Sequence, residues 1–335
     1  MEPNFYKFLK KHILSFDNIL LTTHVIPDAD GLGSQLALHE ALSAMGKSVL
    51  CVNEEPLDKR YEYLNTKKVI LSLEEYLNLP KKFTPELIII IDTNKISRTG
   101  IKMKQFLTMF SSMIFIDHHP FEKPIEQKHY IDTNAAATGQ IVGRLLQEME
   151  FPYTPTIARA LYTAILIDTN TFRYPSVTHE THLLIAELLK TGMKTTDAYN
   201  DIYGTKKLCN MHLLGHILKN CQTNEANNIA WIEIHKEDLD MFNSTVEDTH
   251  SYINNLLILE NIKVACMFRE DERVVRLSMR SHGDIDVAEI AEELGGGGHA
   301  HSAATAFEIP PGFDKFEIIK NSLIKIEEFL KQQSS

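Results

Sequence analysis

His24, Asp28 and Asp30 place one imidazole and two carboxylates within seven residues of one another, in the stretch His24-Val25-Ile26-Pro27-Asp28-Ala29-Asp30-Gly31-Leu32-Gly33-Ser34. Such a density of donor atoms suits a metal site. Pro27 stiffens the stretch, Gly31 and Gly33 permit close backbone approach, and carboxylates ahead of a helix sit where its N-terminus favours anions. Two aspartates at i and i+2 on a turn can diverge toward two different ions. Asp92 ends an apolar run and by itself is an ordinary turn residue. Asp117-His118-His119-Pro120 is more telling, because two adjacent imidazoles after a buried strand are costly unless they bind metal, pair with an acid or carry protons. Asp168, in Asp168-Thr169-Asn170, adds a fourth carboxylate. The set His24, Asp28, Asp30, Asp92, His118 and Asp168 contains no cysteine. Oxygen-rich ligation of this kind suits Mn²⁺ or Mg²⁺ better than structural zinc. Two ions about 3.5–4 Å apart, bridged by a carboxylate and a hydroxide, suit in-line attack on phosphorus. The reaction class so implied is phosphoester hydrolysis.

These residues need elements to hold them. Residues 18–23 (NILLTT) read as a strand ending at His24, residues 37–45 as the next helix, closed by Gly46, and residues 48–53 as a second strand. Residues 87–91 (LIIII) form an apolar strand ending at Asp92, and residues 113–116 (MIFI) another ending at Asp117. Three strands thus end in potential ligands, and open parallel sheets bind at the carboxyl ends of their strands. Helical periodicity covers 138–148, 156–167 and 182–190, the second run delivering Asp168. The alternation of strands and helices predicts an α/β domain over residues 1–192, with a parallel sheet covered by helices on both faces.

Residues 193–224 are polar and helical and read as a linker. Residues 225–335 form a smaller α/β domain, with strands in IAWIEI, IKVACMF and VVRLSMR, a helix over 287–294 and an amphipathic helix over 318–332. Ser278, Arg280 and Ser281 leave one of these strands. Gly295 to Gly298 read as a loop running into His299, ahead of the apolar stretch 303–307. The backbone N–H groups of Gly296, Gly297 and Gly298 can approach phosphate oxygens, and Arg280 can pair with them in a bidentate fork. Most other histidines, including His12, His39, His129 and His216, read as surface or core-edge residues, and Trp231 reads as core.

The chain has 335 residues, which predicts two domains, and its 44% apolar and 24% charged content is that of a globular protein. Lys plus Arg number 34 and Asp plus Glu 45, a net charge of −11. That balance argues against a nonspecific grip on long duplex DNA, though not against a short phosphorylated ligand held by local cations. Four cysteines without a CxxC pair argue against a zinc ribbon or a disulfide scaffold and fit a reducing cytoplasm. No basic leader and no apolar run of about 18 residues is present, so no membrane association is expected.

The motifs resemble those of the DHH–DHHA1 phosphoesterase superfamily over nearly the whole chain, and most closely its nano-RNase branch, which also acts as a 3′-phosphoadenosine 5′-phosphate phosphatase. His24-x-x-x-Asp28-x-Asp30-Gly31-x-Gly33-Ser34 is similar to the first family motif, Asp92 to the second, Asp117-His118-His119 to the third and Asp168 to the fourth. Ser278-Met279-Arg280-Ser281 and the run from Gly295 to His299 are similar to the DHHA1 signatures. The resemblance implies two Mn²⁺ ions, one held by His24, Asp28 and Asp92, the other by Asp30, Asp92, His118 and Asp168, with Asp92 as the bridge. It places His119 beside the scissile phosphate as a donor or general acid, and Asp117 behind the imidazoles, orienting them. Arg98 falls at a substrate position, as do Ser278, Arg280, Ser281, the glycine run and His299. Thr305 stands where the family has glycine, a departure that bears on substrate preference.

The expected activity is hydrolysis of short single-stranded RNA, from a dinucleotide to about five nucleotides, by the two-metal chemistry above, together with 3′-phosphoadenosine 5′-phosphate. A linear dinucleotide phosphodiesterase acting on pApA or pGpG in cyclic-dinucleotide turnover shares every catalytic residue. A manganese pyrophosphatase would share the first-domain motifs but not GGGGH. A noncatalytic nucleotide-sensing module is the reading from a different class. Oligomeric state is open, a homodimer included.

Overall fold

Strands buried on both faces require continuous apolar runs, and all five residues of Leu87–Ile91 are fully buried. The computed structural model describes residues 4–65, 67–121, 128–271, 273–309 and 315–333. It divides into two compact units between Gly204 and Thr205.

In the first unit the strands are β1 (Asn18–Thr22), β2 (Ser48–Asn53), β3 (Ile70–Ser72), β4 (Leu87–Ile91), β5 (Met113–Asp117) and β6 (Lys128–Ile131). The helices are α1 (Phe5–Leu14), α2 (Ala29–Ala44), α3 (Leu73–Leu77), α4 (Ile101–Leu107), α5 (Thr138–Glu148), α6 (Pro155–Asp168), α7 (His179–Leu189) and α8 (Thr195–Tyr203). The six strands are parallel in the order β3-β2-β1-β4-β5-β6. Winding runs outward from β1 on one side and from β4 on the other, so the crevice where the order reverses opens at the carboxyl ends of β1 and β4. His24 and Asp92 follow those two ends. Side chains alternate between two cores. Ile19, Leu21, Ile89, Ile91 and Ile116 pack on the side of α1, α2, α5 and α6, and Leu20, Ile88, Ile90 and Phe115 on the side of α3 and α4. The α/β fold expected from the sequence is the fold found.

Three local expectations are corrected. The first helix begins at Ala29 rather than residue 37, so Asp30, Gly31, Gly33 and Ser34 are helical, and Asp28 caps it by accepting from the backbone N–H of Asp30 and Gly31 at 2.9 and 3.2 Å. Glycines hid this start because they lower helix propensity. They are there for packing: a Cβ on Gly33 would collide with the Ala160 carbonyl oxygen of α6. Strands β3 and β6, too short to give an alternating signal, complete the sheet. Residues 193–224, expected as a linker, are shared between the units: α8 buries Ala198 in the first core, whereas α9 (Leu208–Lys219) buries Leu213 and Ile217 in a core of the second.

The second unit holds β7 (Gln222–Thr223), β8 (Ile229–Ile234), α10 (Lys236–Met241), β9 (Val264–Asp271), β10 (Val274–Ser281), α11 (Val287–Glu293), β11 (Gly297–His299), β12 (Ser302–Glu308) and α12 (Lys315–Gln333). Its sheet has the order β11-β12-β10-β9-β8-β7, antiparallel except for β8 against β9. Helices α11 and α12 cover the face carrying Val264, Cys266, Val275, Leu277 and Met279. On the other face α9 and the 3₁₀ segment Tyr252–Ile258 cover β8 and β9. The glycine run is a further correction to the predicted elements: Gly297 and Gly298 are paired with Ala304 and Ala303 in an edge strand, not free in a loop. Among the described residues no helix is long and apolar enough to cross a membrane.

Candidate metal centre

Each carboxylate at the crevice is held by a backbone terminus or a turn. Asp30, fully buried in the first turn of α2, accepts from the backbone N–H groups of Thr138 and Gly139, both at 2.8 Å. Those are orphan donors at the start of α5, whose dipole favours the anion. Asp92 follows β4 with φ +62, a left-handed conformation that aspartate tolerates better than most residues. The Thr138 hydroxyl donates to it at 2.9 Å. Asp168 closes α6, and the three residues 170–172 after it all have positive φ (47, 61 and 62). For Thr171 and Phe172 that geometry is strained, and strain of this kind clusters at functional sites.

The imidazoles are turned by their own hydrogen bonds. His24 Nδ1 lies 3.0 Å from the Val25 carbonyl, and His118 Nδ1 lies 3.3 Å from the Ala135 carbonyl. A carbonyl can only accept, so Nδ1 carries the proton in both rings and Nε2 is the nitrogen left to bind a cation. His24 Nε2 is 3.5 Å from Asp92 Oδ2 and 4.0 Å from Asp28 Oδ1. His118 Nε2 is 3.2, 3.8 and 3.9 Å from carboxylate oxygens of Asp168, Asp92 and Asp30. The donor atoms thus form two triads, His24, Asp28 and Asp92, and Asp30, His118 and Asp168, each spanning less than 4.8 Å. His119 joins Asp92 and His118 in a third grouping of the same span.

Electrostatics mark these groups as built for a cation. Burial pushes Asp92 well above the usual carboxylate range, and the neighbouring Asp30 and Asp28 add to it. Burial likewise raises Asp30, against the pull of His118, and raises Asp168 to about 8. For His118 burial lowers the pKa, but Asp168, Asp30 and Asp92 outweigh it and push the ring up to about 9. Carboxylates crowded at such cost are stabilised by divalent charge, and a donor set of four carboxylates and two imidazoles fits hard to borderline divalent ions.

Asp117 behaves differently. Although burial raises it, its hydrogen bond with His119 and the charges of both imidazoles hold it below the ordinary range. It accepts from His119 Nδ1 at 2.6 Å, from the His118 backbone N–H at 2.9 Å and from Asn94 Nδ2 at 2.8 Å. Burial holds His119 below the usual imidazole range, with Asp117 opposing and His118 and Arg98 reinforcing the shift. Arg98 belongs to the 3₁₀ turn Ile96–Thr99, whose Arg98 carbonyl accepts from Val25 N–H at 2.7 Å, tying it to the His24 loop. Sequence reading missed Thr138, Gly139, Asn94 and Ala135. The start of a helix facing acidic residues was the available signal for the first two.

The second unit's predicted residues divide between two faces. Ser278 and Arg280 share one face of β10, whereas Ser281 lies on the other, where its hydroxyl donates to the Ile285 carbonyl at 2.6 Å. The backbone of His299 pairs with Ser302, and its side chain lies outside the described part of the structure. Thr305 is buried in β12 and donates to the Leu294 carbonyl at 3.0 Å, tethering the entry to the glycine run.

Residues 18–165 match the model of the DHH family, N-terminal domain, and residues 239–331 match the DHHA1 domain. The chain is 30% identical over 292 residues to the bifunctional oligoribonuclease and PAP phosphatase NrnA of Thermus thermophilus, covering 87% of this chain and 84% of that protein. It is 28% identical over 296 residues to the protein of the same name from Bacillus subtilis, covering 87% and 90%. The crystal structure of an exopolyphosphatase-related protein from Bacteroides fragilis superposes with a TM-score of 0.87 at 26% identity, over 98% of this chain and 97% of that one.

Proposed function

Because the chain belongs to the DHH family of hydrolases and carries a DHHA1 domain after its DHH domain, we propose that it hydrolyses short oligoribonucleotides to mononucleotides. By the same chemistry it removes the 3′-phosphate of 3′-phosphoadenosine 5′-phosphate. The observation that carries this reading is the pair of donor triads, with Asp92 of the first 3.8 Å from His118 of the second. His24, Asp28 and Asp92 would hold one divalent ion, and Asp30, Asp92, His118 and Asp168 the other, with Mn²⁺ preferred to Mg²⁺ because imidazole is among the donors. When bound, the ions supply Lewis acidity and lower the pKa of an attacking water.

The chain's own groups do the rest. His24 and His118 present Nε2 because Val25 and Ala135 fix their tautomers. His119 donates to the phosphate or the leaving oxygen, and Asp117 keeps its ring oriented. Arg98 pairs with a phosphate oxygen of the substrate. In the second unit Ser278, Arg280 and the backbone of Gly296, Gly297 and Gly298 are the groups suited to bind phosphate. Free, buried Cys51 and Cys266 support a reducing, cytoplasmic setting.

The test is hydrolysis of 5′-labelled RNAs from dinucleotide to long strands, with 3′-phosphoadenosine 5′-phosphate alongside, in Mn²⁺ and in EDTA. Metal-dependent turnover that falls steeply beyond about five nucleotides is expected from the two-metal chemistry. Turnover confined to pApA or pGpG would replace this reading with a dinucleotide phosphodiesterase. No turnover on any substrate would sink both.

A further inference from the structure

Between the second half of α2 and the first half of α6 the first unit holds a cavity of about 650 Å³, the size of a site for a small organic molecule. Leu36, Leu64, Val69 and Met193 give it apolar walls. None of its lining residues is among the proposed metal ligands. Glu40, which lines it, stands about 15 Å beyond Asp30 along α2. On α6 the lining lies between Pro155 and Ala160, whereas Asp168 closes the far end of that helix. The cavity is therefore separate from the metal centre, although the same two helices border both.

Its charges are already matched. Lys67 Nζ donates to Glu40 at 3.0 Å, Arg159 pairs through Nη2 with Asp201, and the exposed Lys194 and Asp197 carry opposite signs. Two polar atoms of the lining residues are left over. The Tyr63 hydroxyl and Arg159 Nε are buried and, among the described residues, have no hydrogen-bond partner. The two side chains are neighbours, with the Arg159 guanidinium 5.9 Å from the centroid of the Tyr63 ring. Buried donors without acceptors are costly, and two on neighbouring side chains call for an occupant with acceptor atoms. Matched charges and apolar walls require that occupant to be neutral where it is buried. A planar heteroaromatic ring meets both conditions, since its ring nitrogens accept and its faces pack against aromatic and guanidinium planes.

We propose that this cavity is a second nucleotide site, which takes the base of a purine nucleoside or nucleotide and leaves the sugar and any phosphate toward solvent. The choice of a nucleobase among heteroaromatic rings rests on the oligonucleotide reading above, under which purine mononucleotides are among the products. Tyr63 and Arg159 supply the hydrogen bonds to the base, and Leu36, Leu64, Val69 and Met193 the apolar contact.

The test is equilibrium dialysis of adenosine and of AMP against the full chain in EDTA, so that neither metal nor turnover enters the readout. Both are expected to bind with similar affinity, because the base carries the recognition, and inorganic phosphate is expected not to compete. Tyr63→Phe keeps the ring and should weaken both about fivefold to tenfold, the effect of one hydrogen bond. Ala44→Trp, at the exposed end of α2 where it lines the cavity, should abolish binding by filling the space. No binding of adenosine by the wild type would overturn the proposal. So would binding that survives unchanged in both folded variants, or AMP binding that phosphate displaces. A wild-type dimer that Ala44→Trp dissociates would overturn it too, by assigning the cavity to a second copy of the chain. The hydrolysis assay decides the wider reading independently: RNA turnover without adenosine binding leaves that reading standing, and adenosine binding without RNA turnover leaves the cavity assigned while that reading fails.

Discussion

Thr138 Oγ1 donates to Asp92 Oδ1 at 2.9 Å, while the backbone N–H of the same threonine donates to Asp30 at 2.8 Å. One residue at the start of a helix thereby sets the position of Asp92 in the first donor triad and of Asp30 in the second. Replacing Thr138 with valine keeps the shape and the backbone bond but removes the hydroxyl. Metal affinity is expected to fall 10- to 100-fold, the range for partners that orient ligands, and Thr138→Ser to recover most of it. Calorimetric titration of Mn²⁺ into the metal-free protein checks this, and equal affinities for the wild type and the valine variant would refute it.

Asp92→Asn keeps a residue suited to positive φ while removing the charge of the carboxylate proposed to bridge the two ions. Turnover should drop by at least about a thousandfold, because stabilisation of transition-state charge and the nucleophile both depend on the ions. Two-site Mn²⁺ binding should be lost, with the circular dichroism spectrum unchanged. Near-native turnover would show that the two triads do not act together.

Burial raises Asp168 to about 8, and the neighbouring carboxylates raise His118 to about 9. Both shifts are upward, so the pair favours holding protons near neutral pH, whereas a cation needs both groups deprotonated. Metal binding should therefore release protons, and affinity should climb between pH 6 and 9 by about tenfold per pH unit for each proton displaced. Titrations in buffers of different ionisation enthalpy count these protons. Affinity independent of pH over that range would contradict the protonated resting state.

Asp117→Asn leaves the volume intact but replaces the oxygen facing His119 Nδ1 with a group that need not accept. His119 loses the partner that fixes its tautomer. We expect kcat to fall by about 10²- to 10⁴-fold, the span for a positioned acid or base, with Mn²⁺ affinity changed far less. A purely structural role for Asp117 would instead lower thermal stability and metal affinity together.

Gly33→Ala drives a methyl group into the Ala160 carbonyl where α2 crosses α6. Overpacking of this kind costs about 1–3 kcal/mol. A lowered melting temperature is the expected result, and an unchanged one would mean that the two helices move apart freely.

Much of the proposed centre was legible in the amino-acid sequence. Strong apolar runs such as Leu87–Ile91 announce buried strands, and an acid or imidazole just after each strand points to one end of one sheet. The helix start at Ala29 was harder to see, since Gly31 and Gly33 are poor helix formers that allow close approach to Thr23 and to α6 respectively. Strand β11 was hidden for a similar reason: a glycine run carries no side-chain alternation, and its pairing with β12 depends on residues beyond it.

The sequence by itself determined the donor types, their order along the chain and the α/β alternation that brings strand ends together. These follow from local hydrophobic periodicity and from the chemistry of each side chain. Only the tertiary structure decided which nitrogen of His24 and His118 is presented, because the Val25 and Ala135 carbonyls settle that. It also decided that Thr138 and Gly139 hold Asp30 across 108 and 109 residues of chain, and that Ser281 faces away from Ser278 and Arg280. Hydrogen-bond partners distant in sequence and the side of a sheet on which a residue falls are set by packing and register, which no local pattern encodes.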